Sequence, residues 1–189
     1  MVFTSLPEAE LWINGRSQGR LRKLSAAEAA ASSDSLALMR RYRLIWENVV
    51  YEPGELRVVA YDADGRPAAE RTVRTAGKPY ALRLDCKRTS LTADGDDLAY
   101  VTVSVVDRNG TPCPDDSRLV RFRVDGAGTY RAAANGDPTS LDLFHLPQMH
   151  LFSGKCTAIV RAGDRPGTVT LTATAPGLRP ARLAIPVSR

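Results

Sequence analysis

The stretch LAYVTVSVVDRNG, residues 98–110, alternates apolar with polar residues and then ends on Asn109-Gly110. Successive side chains of a strand point to opposite faces, so alternation of this kind reads as a strand with one buried face, and Arg-Asn-Gly as the turn that reverses it. Outward from it the same rhythm recurs in YALRLDC (80–86), RLVRFRVDG (118–126), TYRAAA (129–134), CTAIVRAG (156–163), GTVTLTATAPG (167–177) and ARLAIPV (181–187). Short strands separated by turn residues describe a β-sandwich of immunoglobulin-like type. The Cys-Trp-Cys core pattern of antibody domains is missing, so the likeness is one of architecture.

The N-terminal part reads in the same way. EAELWINGRSQG, residues 8–19, sets Ala9, Leu11 and Ile13 on one strand face and Glu8, Glu10 and Trp12 on the other, before Asn14-Gly15 supplies a hairpin turn. YRLIWENVVY (42–51), ELRVVAYD (55–62) and AAERTVRT (68–75) continue as strands, with a turn at 62–65. An Ala-rich segment near 24–41 interrupts them; Ser25 and Glu28 have capping-box spacing, and the segment reads as an inserted helix or a mobile loop. AGKP, residues 76–79, combines Gly and Pro without periodicity and marks a domain boundary. The expected fold is therefore all-β: two tandem immunoglobulin-like sandwiches, residues 1–77 and 78–189.

NGDPTSLDLFHLPQMHLFSGKC, residues 135–156, breaks the alternation on both sides of it. It holds both histidines of the chain and reads either as a site or as a crossover between strands.

Composition narrows the classes. The 189 residues are 43% hydrophobic and 25% charged, ordinary for a globular chain, and no apolar run approaches the ~20 residues of a membrane helix. The net charge of +5 is spread with acidic residues interleaved; its densest cluster, RLRK (20–23), lacks the aromatic partners of a nucleic-acid track and reads as a solvated face. Neither nucleic acid nor membrane is an expected partner. Cys86, Cys113 and Cys156 have no metal-ligand spacing, and their odd number leaves at least one unpaired within the chain, so the redox compartment stays open.

Candidate chemistry is sparse. Asp62 with Asp64, and Asp94 with Asp96 and Asp97, could suit calcium, but Asp and Gly are also what hairpin turns demand, and turns are the preferred reading. His145 and His150 are five apart, off the spacing that shares a helix face, and read as loop residues. No Gly-x-Ser-x-Gly elbow, phosphate loop or nucleophilic cysteine with a local partner is present, so the expected lists of catalytic, cofactor-binding and metal residues are empty. Trp12, on the polar face of its strand, and Asn135 and Asp137, in the irregular stretch, are the candidate contacts with a neighbouring domain or a sugar. For Trp12 domain packing is preferred, because aromatics at 6% make a sugar platform hard to build.

EAELWINGRSQG (8–19), VVYEPGELRVVAYDADGRPAAERTVRTAGKP (49–79), CKRTSLTADGDDLAYVTVSVVDRNGTPCPDDSRLVRFRVDGAG (86–128) and NGDPTS (135–140) resemble, in order, C-terminal regions of glycoside hydrolase family 2 β-galactosidases. The resemblance leaves Ala26 to Arg41 as the doubtful insertion. It implies a bacterial parent, periplasmic or secreted, whose two catalytic glutamates lie in a (β/α)₈ barrel that nothing here matches. This chain would then be a noncatalytic accessory region that braces the barrel and shapes substrate access, its partners being that barrel, other domains of the same chain and galactose-containing glycans. The resemblance also implies that residues 135–156 are a recurring crossover, and that the first sandwich begins truncated, with an exposed edge. The rival readings are an independent carbohydrate-binding module and a structural spacer of a bacterial surface protein.

Overall fold

A computed structural model describes residues 1–189. The chain divides into two compact units, Met1–Thr75 and Ala76–Arg189, and the architecture is all-β, in immunoglobulin-like sandwiches.

In the first unit, β1 (Val2–Phe3), β2 (Glu8–Ile13), β3 (Arg16–Arg22), α1 (Ala26–Ala31), α2 (Ala37–Tyr42), β4 (Arg43–Leu44), β5 (Glu55–Tyr61) and β6 (Pro67–Arg74) follow in order. One sheet has the order β3-β2-β5-β6, and β1 pairs with β4 in a two-stranded ribbon. Ala9, Leu11, Val58 and Ala60 on the sheet pack with Leu44 of the ribbon, and Trp46 and Val49 add partly buried surface. Alternation along β2 thus places its side chains on the faces expected of them. Asn14 and Gly15 take φ of 47° and 77°, the positive pair that a two-residue hairpin turn requires.

The Ala-rich segment forms two six-residue helices, α1 and α2. Ser25 Oγ accepts from the Glu28 backbone N–H and the Glu28 carboxylate accepts from that of Ser25, which satisfies two donors left open at the helix start. Arg22 donates to the same carboxylate and, with those bonds, holds it down to about 2. Only Ala37 is buried in either helix, because helices this short gain little without an apolar face.

YRLIWENVVY differs from its expected strand: only Arg43 and Leu44 pair in a ladder. Trp46 instead turns toward the core and donates its indole N–H to the Gly19 carbonyl, and Asn48 has φ of 57°, which no extended strand accommodates.

The second unit comprises β7 (Ala81–Cys86), β8 (Leu91–Thr92), β9 (Leu98–Val106), β10 (Leu119–Gly126), β11 (Gly128–Ala134), β12 (Gln148–His150), β13 (Lys155–Ala162), β14 (Gly167–Thr174) and β15 (Ala181–Ser188). Its sheets run β12-β10-β14-β15-β8 and β11-β13-β9-β7. Ala99, Val101, Val103 and Val105 of β9, all 0% exposed, share one core with Val120, Leu171 and Ile185 of the other sheet. β10 and β11 are consecutive yet lie in different sheets, so the chain changes layer at Ala127.

Asp107 directly follows β9 and is buried. One carboxylate oxygen accepts from the Gly77 N–H at 2.8 Å, and the other from Asn109 at 2.8 Å and Thr111 at 2.9 Å. These donors, Gly77 foremost, hold the carboxyl below the usual aspartate range against the opposing effect of burial. Its folded value being the lower one, its stabilisation is complete above the unfolded value of ~3.9 and fades as pH falls through and below it. Asp107→Asn, which turns an amide against backbone donors, should lower the melting temperature of the second unit by about 5–10 °C at pH 7. As pH falls below ~3.9 the gap to wild type should narrow, since the wild-type carboxylate is then progressively protonated; calorimetry across pH 2–7 checks both.

Candidate interaction surfaces

Trp12 stands on the outer face of β2, across from Ser17 and Arg57. The Arg57 guanidinium lies 5.4 Å from the ring centroid, and the indole N–H is buried without a partner. Along the same face Arg20 pairs with Glu8 at 2.7 Å and covers the Tyr61 ring at 3.7 Å, while Tyr61 donates to Glu10 at 3.1 Å. The face is a ladder of cations over rings and carboxylates. A sugar stacking on Trp12 from the Arg57 side would have to displace that guanidinium.

Asn135 and Asp137 build the start of the crossover. Asn135 donates through Nδ2 to the His150 carbonyl at 3.0 Å and accepts from the Asp137 N–H at 3.2 Å; Asp137 accepts from Thr139 N–H at 2.9 Å and its hydroxyl at 2.7 Å. Their polar atoms are thus used in shaping the loop. The structure keeps them together and leaves Trp12 in the other unit.

The crossover holds one pairing that sequence spacing did not reveal. Asp142 accepts from the His150 N–H at 2.8 Å and lies 3.0 Å from its ring Nδ1; the backbone donor, above all, lowers the Asp142 carboxyl. Eight residues separate the two, and they meet only because β12 doubles back on the loop before it. Beyond this pair, Met149 and Leu151 enter the core, while Leu141, Leu143 and Phe144 stay exposed. Tyr130 donates its hydroxyl to the Phe144 and Leu146 carbonyls, and burial pushes it up to about 12.

Other carboxylates serve the scaffold. Asp62 accepts from the N–H groups of Asp64 and Arg66, and Asp94 from those of Asp96 and Asp97, so both acidic turns are closed on their own backbone. Glu52, Glu55 and Asp116 pair with Arg16, Arg74 and Arg118. A glycosidase acid needs a raised pKa, whereas every displaced carboxyl here, Glu28, Asp94, Asp107 and Asp142, is lowered. An open concavity lined by Ala76, Gly77, Pro79, Cys113, Asp115 and Arg118 holds the buried Cys113 thiol, which burial pushes up. All three cysteines are free thiols. No helix is long and apolar enough to cross a membrane.

Residues 82–184 match Glycoside hydrolase family 2 C-terminal domain 5, and residues 1–69 match a domain of unknown function (DUF4982). A Bacteroides ovatus β-galactosidase is 40% identical over 183 residues, covering 97% of this chain and 20% of that protein. A β-glucuronidase of Formosa agariphila is 32% identical over 145 residues, covering 73% of this chain and 14% of its own length. This chain therefore spans a fifth or less of these relatives. A crystal structure of a glycosyl hydrolase family 2 member from Bacteroides cellulosilyticus superposes with a TM-score of 0.85 at 29% identity, over 99% of this chain and 22% of that one. With more than half of its residues matched to one family, the chain belongs to the C-terminal domain 5 family of glycoside hydrolase family 2.

Proposed function

We propose that this chain is the noncatalytic C-terminal accessory region of a β-galactosidase-like glycoside hydrolase, where it braces the catalytic barrel and shapes substrate access. The observation that carries the reading is the 40% identity to a β-galactosidase of which the chain covers only 20%. The chemistry of most carboxylates agrees: Glu52, Glu55 and Asp116 are paired with arginines, Asp94 and Asp142 accept from backbone donors, and Glu28, Asp94, Asp107 and Asp142 are lowered, the direction opposite to that a general acid needs. Within this reading Trp12, under Arg57, belongs to a domain interface in preference to a glycan site, and Asn135 and Asp137 act by holding the crossover in shape.

The isolated chain should turn over no chromogenic β-galactoside, while the full-length polypeptide does so and loses thermal stability when residues 1–189 are deleted from it. Turnover by the isolated chain that disappears on replacing one of its own carboxylates would overturn the reading. So would a deletion that leaves the stability and activity of the full-length polypeptide unchanged.

A further inference from the structure

The crossover between β11 and β12 holds apolar side chains in solvent on a backbone that is tied down. Leu141 is 94% exposed, Phe144 58% and Leu143 56%, and Phe152, 43% exposed, lies against Gly136 at the base of the loop. The Phe144 carbonyl accepts from the Ala133 N–H at 2.8 Å and, with that of Leu146, from the Tyr130 hydroxyl. Asn135 ties the start of the loop to the His150 carbonyl, and Asp142 ties its middle to the His150 N–H and ring. A backbone fixed in this way has already met much of its ordering cost, so an apolar contact made by it loses little entropy on binding.

We infer that this knuckle, Leu141, Leu143 and Phe144, is the docking surface for another domain of the same polypeptide, an inference that rests on the accessory reading above. Its exposed area, on the order of several hundred Å², is that of a functional surface patch. A free-standing complex needs about 800 Å² from each partner, more than the knuckle supplies, whereas interfaces between domains of one chain begin at about 600 Å² in total. Tethering supplies the rest, because a linked domain is present at an effective concentration in the millimolar range. The relative that this chain matches over 97% of its own length is several times longer, which provides such a domain. The one carboxylate within the knuckle, Asp142, already has its donors, so covering the patch strands no unpaired acid.

Hydroxyl-radical footprinting of the full-length polypeptide and of the 189-residue chain tests this. Modification of Leu141, Leu143 and Phe144 should fall by about an order of magnitude in the full-length polypeptide, as expected of a patch shielded from water. Leu143→Ser with Phe144→Ser should leave the melting temperature of the isolated chain unchanged and lower that of the full-length polypeptide. Equal modification in the two proteins overturns the docking proposal, and with no turnover by the isolated chain it leaves the accessory reading standing. Protection that grows with concentration in the isolated chain assigns the patch to a second copy and also overturns it.

Discussion

Met149→Ala is expected to destabilise the second unit by about 2–5 kcal/mol, the cost of a large side chain removed from a core that collapses only in part. Met149 is 0% exposed and lies across from Val120, itself 0% exposed, where β12 joins the edge of its sheet. β12 is only three residues long, so its ladder with β10 is short and its buried side chain does much of the anchoring. The substitution should therefore act locally as well as globally. Amide exchange over residues 135–150 should quicken more than over β9, and urea unfolding should show the loss of stability. A loss under about 1 kcal/mol would mean that the site repacks around the smaller side chain.

Gly154→Ala should cost the same unit about 3–5 kcal/mol, because two independent constraints meet at one residue. Ser153 and Gly154 take φ of 49° and 72° in the turn that brings Phe152 back to Lys155. A Cβ on Gly154 would come within 2.1 Å of the Cys113 carbonyl oxygen and 3.0 Å of its carbon. The backbone has no room to give way: the Gly154 N–H donates to the Asp116 carbonyl at 3.0 Å, and its own carbonyl accepts from the Val105 N–H at 3.0 Å. Ser153 has the same sign of φ without that contact, so Ser153→Gly should shift stability by no more than about 1 kcal/mol. Denaturant titration of both variants separates the two causes, and equal effects would exclude the clash.

Local periodicity decided more here than composition did. Ala9, Leu11 and Ile13 face the core and Trp12 faces away because a strand alternates whatever it pairs with, and Asn14-Gly15 turns because both residues accept positive φ. Ser25 and Glu28 cap a helix for an equally local reason, the reach of two side chains across one turn. The family motifs in residues 8–19, 49–79 and 86–128 were legible as words in a fixed order. Ile45 to Tyr51 show where this stops: their composition suits a strand, but Trp46 found a carbonyl on β3 and Asn48 turned the chain out of the ladder. In the crossover, spacing suggested two idle histidines, whereas His150 holds Asp142 and the residue before it anchors the core. What the sequence determined by itself was each strand's faces and its turns, since those depend on neighbours within a few residues. Which sheet each strand joins, which acid meets which base, and that Leu141 and Phe144 stand outside the core of their unit were decided by the tertiary structure, because they depend on where distant segments pack, and no residue carries that information in its own neighbourhood.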